Sequence, residues 1–435
     1  MFSRVLIANR GEIAVRIIRA CKEMGIETVA VYSEADADAL HVALADRHIC
    51  IGAAPASESY LQEGRIVSAA LATGAKAIHP GYGFLSENPY FASLCSRNGL
   101  VFIGPDAEVM EALGDKGRTK IRMQQAGLPV IPGCEAVDTV GQALEAAQAI
   151  GWPVMLKARS GGGGRGIRLV RSGQELLQAF PLAAAESRKA FGDSSLYLEK
   201  YIWPARHVEV QVLADEAGNV VCLGERDCSI QRHHQKLIEE SPSPAVSRQQ
   251  RQALIEQTTA AVRRTGYTGV GTLEFLLDTA GNFHFMEINT RLQVEHGVTE
   301  MLTGVDLVKW QIRTAAGIPL NFGQADIRMD GCSIECRINA CGTGTVTTLH
   351  VPGGPGVRFD TCLTQGTQVT PFYDALLGKL IVHAATREEA VRKLRAALCE
   401  LVIDGVPTNL DEQLTLISAP AFISGQYDLR FMEGR

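Results

Sequence analysis

The 435-residue sequence lacks the marks of several protein classes. No apolar run approaches the ~20 residues needed to cross a bilayer, so no membrane span is expected. Basic residues are not in excess. The net charge is −6, which gives no electrostatic case for a nucleic-acid partner. The 11 cysteines contain no CxxC pair, and Cys332, Cys336 and Cys341 come nearest to a cluster. An odd, scattered set fits reduced thiols in a cytoplasmic protein better than a disulfide framework. The first strand is expected near residue 4, which leaves no room for a leader peptide.

What is present is a globular composition, 46% hydrophobic and 21% charged, with 43 glycines. Its length suggests two or three domains. "RVLIA" (4–8), "ETVAVYS" (27–33), "AKAIHP" (75–80) and "LVFIG" (100–104) read as buried parallel strands. Between them lie helical stretches, among them 11–25, where Ile13, Ile17, Ile18 and Cys21 recur at helical spacing. This alternation predicts a doubly wound sheet over 1–104. The loops "NRGEIA" and "HPGYGFLSEN" fall at its ligand-binding edge, and neither has the GxGxxG pattern of a dinucleotide site. A polar helical linker is expected over 105–133 and a small strand-rich unit over 134–202. A larger α+β domain is expected over 203–435. The whole is a multidomain α/β and α+β protein.

Three stretches carry chemistry. In "FMEINTRLQVEH" (285–296) polar residues recur at every second position: Glu287, Asn289, Arg291, Gln293 and Glu295. In an extended chain these share one face. "GTLEFLLDTAGNFHFMEIN" (271–289) reads as a hairpin. Pairing Asp278 with Phe283 sets Glu274 opposite Glu287. Facing carboxylates repel, so one holds a proton or a cation sits between them. Two acids and the Asn289 amide oxygen suit a hard cation bridging phosphates. A solvated hairpin face with splayed charges is the plain alternative. "KARSGGGGRG" (157–166) follows Lys157 with four glycines, as a backbone that approaches anionic oxygens requires, although it is not a GK[ST] loop. "ERDCSIQRHHQKLIEESP" (225–242) reads either as a solvated loop or as anion ligands, with His234 and Lys236. Cys228 in it reads as an idle thiol. In "IECRINA" (334–340), Glu335, Arg337 and Asn339 share a strand face.

These stretches, with "VLIANRGEIAVRIIRACKEMGIETVAVYS", "GDKGRTK", "EKYIWPARHVEVQVL" and "YDALLGKLI", resemble the biotin carboxylase family over nearly the whole chain. The family belongs to the ATP-grasp superfamily. The resemblance implies an N-terminal doubly wound (pre-ATP-grasp) domain, a mobile ATP-grasp lid and a C-terminal domain completing the cleft. It implies ATP-dependent carboxylation of biotin by bicarbonate, with Mg²⁺ or Mn²⁺. By motif, Lys116 and Lys157 would contact ATP phosphates, beside the backbone at Gly163 and Gly164. Glu199, Lys200, Tyr201 and Ile202 would form the adenine hinge, and His207, Gln231 and His234 would line the nucleotide site. Glu274, Glu287 and Asn289 would hold metal. Lys236, Arg291, Gln293 and the Val294 backbone would bind bicarbonate, with Glu295 as base. Arg337 would stabilise the biotin oxyanion.

The family pattern is broken at three places. Arg159 and Ser160 precede the glycine run, Gly297 stands where proline is usual, and the segment after Ala340 is short. No biotin-acceptor motif is visible. A separate biotin carboxyl carrier protein and carboxyltransferase subunits are therefore expected as partners, within acetyl-CoA carboxylase as the default. A homodimer is expected by resemblance.

Overall fold

The computed structural model of the protein describes residues 1–134, 136–158 and 167–434. At the N-terminus lie β1 (Arg4–Ile7), β2 (Glu27–Ser33), β3 (Arg47–Gly52), β4 (Ala77–His79) and β5 (Val101–Phe102). They form one parallel sheet, ordered β3-β2-β1-β4-β5. The order reverses at β1, so the loops after β1 and β4 meet at the carboxyl edge. There the Asn9 amide donates to the carbonyls of Pro80 and Tyr82 at 2.7 and 2.8 Å. The helix Gly11–Glu23 buries Ile13, Ile17 and Ile18, as the spacing predicts. With Val5 and Ile7 they join Leu213, Val221, Val270, Leu292 and Leu307 in one apolar cluster. That cluster fastens the parallel sheet to the rest of the molecule.

The stretch 105–133 is helical only in part, over Ala107–Gly114 and Lys116–Gln125. A small antiparallel sheet follows, with β6 (Val154–Ala158), β7 (Arg168–Val170) and β8 (Leu196–Lys200) in the order β7-β6-β8. It packs on the helices Val140–Ile150 and Gly173–Phe191. Gly163 and Gly164, with Arg159 and Ser160, lie outside the described residues.

The remaining strands are β9 (Ala205–Ala214), β10 (Val220–Arg232), β11 (Gln235–Ser241), β12 (Gly269–Asp278), β13 (Phe283–Asn289), β14 (Cys332–Asn339), β15 (Gly344–Thr345), β16 (Thr348–His350), β17 (Val357–Thr361), β18 (Gln368–Val369), β19 (Leu376–Ala384) and β20 (Val402–Asp404). Eight of them make an antiparallel sheet, ordered β13-β12-β9-β10-β11-β14-β19-β17. The segment 225–242 is therefore not a solvated loop but the long hairpin β10–β11. Its turn residues His233 and His234 adopt φ of 51° and 64°, as a two-residue hairpin turn requires. The short segment after Ala340 is stitched down: β15 pairs with β18, β16 with β20, and the Cys341 amide donates to Pro407 at 2.7 Å.

Two expectations for the opening stretch need correction. The strand ends at Asn289, a turn follows, and the helix His296–Thr303 begins just after Glu295. Arg291, Gln293 and Glu295 are thus not on the strand face. Near its tip the hairpin also runs one residue out of the expected register, with Leu277 rather than Asp278 opposite Phe283. A bulge between positions 274 and 275 restores the offset, so Glu274 does face Glu287. On the outer edge the linker covers β13: the Phe285 amide donates to Pro129 at 2.7 Å, and the Ile131 amide to Phe285 at 3.3 Å. No described helix is long and apolar enough to cross a membrane.

Candidate active site

The strand β9 sets the floor of the cleft. Polar His207, Glu209 and Gln211 alternate with apolar Val208, Val210 and Val212, and all six are buried. Period-two polarity within a buried strand is a signal in its own right. It marks Glu209 and Gln211, which the motif reading passed over. Arg226 on β10 is fully buried and donates to Glu209 Oε1 at 2.6 Å, Gln211 Oε1 at 2.8 Å and Thr299 Oγ1 at 2.8 Å. An unpaired charge at that depth would be costly, so Arg226 and Glu209 are mutually required.

Above this floor Lys236 is the hub. Its Nζ lies 2.6 Å from Glu209 Oε2, 2.6 Å from Glu295 Oε1 and 3.3 Å from Glu274 Oε1. Glu295 Oε2 accepts from Arg337 Nη2 at 2.8 Å. Arg337 is held from behind by Glu239 Oε1, which accepts from its Nε at 2.7 Å. Burial alone would raise the pKa of Glu295, but Lys236, Arg337 and Arg226 outweigh it and hold the carboxyl well below the usual range. The carboxylates likewise push Lys236 well above the usual ammonium range, against its burial.

The hairpin carboxylates point to separate cations. Glu274 Oε1 accepts from the Asn289 amide at 2.8 Å, and its Oε2 lies 3.0 Å from His207 Nε2. Glu287 pairs with Lys116 at 2.6 Å. With the Asn289 oxygen they remain hard donors at neighbouring positions, so the donor set fits a magnesium or manganese ion. Two other groupings of possible ligands occur among the described residues, His207–Glu209–Glu274 and Glu209–Cys228–Glu295. The bonds from Arg226 and Lys236 account for the charge of both. Burial pushes the Cys228 thiol well above its usual pKa, in keeping with an idle side chain.

On the opposite wall Lys157 pairs with Glu199 at 2.6 Å, and Lys120 pairs with the same carboxylate. Burial and then Lys116 depress Lys157 to about 8. Burial, Lys157 and Lys116 depress Lys120 well below its usual value. Lys120 was not anticipated, yet it follows Lys116 by four residues on one helix, a spacing that shares a face. Lys200 donates to the carbonyls of Gly151 and Trp152 at 3.0 and 2.9 Å. Tyr201 stacks on Trp203 with ring centroids 5.5 Å apart, next to Ile202 at the end of β8. Gln231 Nε2 lies 2.7 Å from His207 Nδ1. His234 is exposed at its hairpin turn.

The loop 290–295 is tied down at each residue that matters. Arg291 donates to Glu87 Oε2 at 2.8 Å and to Gln293 Oε1 at 2.9 Å. The Val294 carbonyl accepts from Lys379 at 2.8 Å. Gly297 is buried. A Cβ there would collide with Ile381, so the Ile381 side chain fills the space a proline ring would need.

Comparison with known proteins identifies the family of the chain. The biotin carboxylase N-terminal domain model matches residues 1–110, the carbamoyl-phosphate synthase L chain ATP-binding domain model 115–322, and the biotin carboxylase C-terminal domain model 335–434. The chain is 50% identical to the biotin carboxylase of Allochromatium vinosum, covering 100% of this chain and 98% of that one. It is 49% identical to the 2-oxoglutarate carboxylase small subunit of Hydrogenobacter thermophilus, over 100% and 93%. The biotin carboxylase domain dimer of that carboxylase, solved with MgADP, ADP and bicarbonate, superposes with a TM-score of 0.96 at 49% identity, covering 100% of this chain and 97% of that one. The chain belongs to the biotin carboxylase family of ATP-dependent ligases.

Proposed function

We propose that the protein carboxylates biotin on a carrier protein with bicarbonate and ATP, releasing ADP and phosphate through carboxyphosphate. The single observation that carries this reading is Glu295 held between Lys236 and Arg337 at 2.6 and 2.8 Å, with Lys236 also reaching Glu274. A base, an anion-binding cation and a candidate metal ligand are contiguous there.

Lys236 and Arg291, with Gln293 and the Val294 backbone, bind bicarbonate. An anion that draws Lys236 toward itself weakens the grip on Glu295 and raises its basicity. Glu295 then takes the bicarbonate proton as the oxygen attacks the γ-phosphorus. Lys116 and Lys157 offset phosphoryl charge, with backbone N–H groups at Gly163 and Gly164. Glu199, Lys200, Tyr201 and Ile202 flank adenine, while His207, Gln231 and His234 border the nucleotide. Glu274, Glu287 and Asn289 would hold a divalent cation, which when bound supplies further charge neutralisation at the phosphates. Arg337 steadies the enolate-like oxygen of the ureido group. Closure of the 134–202 unit shields carboxyphosphate from water.

In this reading 1–104 is the N-terminal domain, 105–133 a linker, 134–202 the lid and 203–435 the domain that completes the site. Mg²⁺ or Mn²⁺ serves as cofactor, and carrier and carboxyltransferase subunits as partners. The setting is cytoplasmic and the assembly a homodimer, as in the solved relative with MgADP and bicarbonate. Acetyl-CoA is the acceptor we favour. The 2-oxoglutarate carboxylase relative names the alternative.

The test is steady-state ATP cleavage in purified protein with magnesium, with and without bicarbonate and free biotin. Bicarbonate-dependent cleavage stimulated by biotin is expected. Cleavage driven instead by an amine or amino acid would mark a different ATP-grasp ligase, and tight ATP binding without turnover a non-catalytic partner.

A further inference from the structure

Carboxyl groups outnumber free bases on the face of the large sheet behind Arg337. Glu239 and Glu335 stand directly opposite one another on β11 and β14, and Arg337 stands opposite Lys379 on β14 and β19. The helix His296–Thr303 packs on these strands. Every base nearby is committed elsewhere. Arg337 serves Glu239 and Glu295. Lys379 reaches Glu12 at 2.9 Å, the Val294 carbonyl at 2.8 Å and Asp360 at 3.9 Å. Arg358 pairs with Asp360 and Glu300. Glu335 is 0% exposed, and among the described residues neither of its oxygens has a hydrogen-bond partner; Glu239 Oε2 has none there either.

A buried carboxylate without a base or donor does not stay ionised. Cross-strand carboxyls are close enough for one to suppress the ionisation of the other. We propose that Glu239 and Glu335 share one proton in the resting protein, and that this singly charged pair is a positioning element for Arg337. Burial, and then the neighbouring Glu239, pushes Glu335 well above the usual carboxyl range, while burial pushes Glu239 up to about 7. The charged and titratable groups facing the pair are Tyr82, Lys236, Glu295, Arg337, Arg358 and Lys379, with the thiols of Cys228 and Cys336. With one negative charge behind it and Glu295 in front, Arg337 is held but not captured. A second negative charge would draw the guanidinium back from the position where it meets biotin. The role assigned to Arg337 rests on the proposed function; the shared proton does not.

Infrared spectra of the full chain provide the direct test. The carbonyl stretch of a buried protonated carboxyl is expected at neutral pH and is lost in Glu335→Gln. Melting temperature against pH is the second arm. The folded state keeps a proton that an unfolded glutamate releases above ~4.3. Native stability therefore falls as pH rises from there through the folded pKa. Glu335→Gln has no such fall, so the difference in melting temperature shifts in the variant's favour as pH rises. In the kinetic arm, raising the pH until both carboxyls ionise raises the KM of the native protein for biotin about tenfold. Glu335→Gln, a neutral isostere, prevents that rise and extends activity to higher pH. Identical spectra for the native protein and Glu335→Gln, a pH-invariant melting difference, or prevention of the rise by Glu335→Asp but not Glu335→Gln would each overturn the proposal. If the native protein cleaves no ATP with bicarbonate, the spectra and melting curves still decide the shared proton.

Discussion

The two walls of the cleft handle charge in opposite ways. On the large sheet, Glu209, Glu274 and Glu295 each have cationic partners already in place: Arg226, Lys236, His207 and Arg337. On the facing wall, Lys116, Lys120 and Lys157 crowd around Glu199 and Glu287, and burial depresses two of the three. The first wall is neutralised before any ligand arrives and can hold reacting groups rigidly. The second is short of negative charge, which in the proposed function an incoming polyphosphate supplies. In the proposed function, preorganisation sits where bonds change, and unmet cationic charge sits where the nucleotide is recruited.

Substitutions on the sheet wall break the comparison hardest. Glu295→Gln removes the proposed base and the partner of two cations, and bicarbonate-dependent ATP cleavage is expected to fall about 10³-fold in steady-state assays. Arg337→Ala is expected to lower the biotin-stimulated rate by roughly 10²-fold while sparing cleavage with bicarbonate alone. A variant that loses both activities equally would place Arg337 in bicarbonate binding instead. On the facing wall Lys157→Met is expected to weaken nucleotide binding by about 10- to 100-fold, the worth of a charged hydrogen bond.

The sign of the pH effect sharpens the contrast. Burial and Lys116 bring Lys157 down to about 8 in the free protein, and in the proposed function a bound phosphate would hold its proton. Nucleotide binding should therefore take up protons, and affinity should decline as pH rises above about 8. Calorimetry in buffers of different ionisation enthalpy measures this directly, and Lys157→Met should abolish the slope. The smallest effect is expected from Lys120→Met, within about tenfold in the nucleotide Kd. An unchanged Kd would confine Lys120 to holding Glu199.

Much of this was legible in the residues. The βαβ alternation and the helix of Ile13, Ile17 and Ile18 follow from periodicity, because burial imposes it. Glu274 facing Glu287 was also legible, but through an assumed register that the bulge overrides. A bulge leaves no compositional trace, and this one lies beside Phe285, which pairs with the distant linker at Val130. The polar alternation in 285–296 suggested one long strand, but tertiary contacts break it: Glu87 anchors Arg291 and Lys379 anchors Val294. Glu209 and Arg226 escaped notice because their importance lies in burial, which a single sequence does not display. Lys120 was readable from its spacing alone.

The apolar cluster where Val5, Ile7 and Ile17 meet Leu213, Val221 and Leu307 reaches beyond packing. Severing the chain near residue 104 would leave both fragments with a bare oily flank, prone to self-association or capture by chaperones. The N-terminal quarter is therefore no detachable module. An exchange of that quarter between relatives should yield folded protein only when the opposing flank is exchanged along with it.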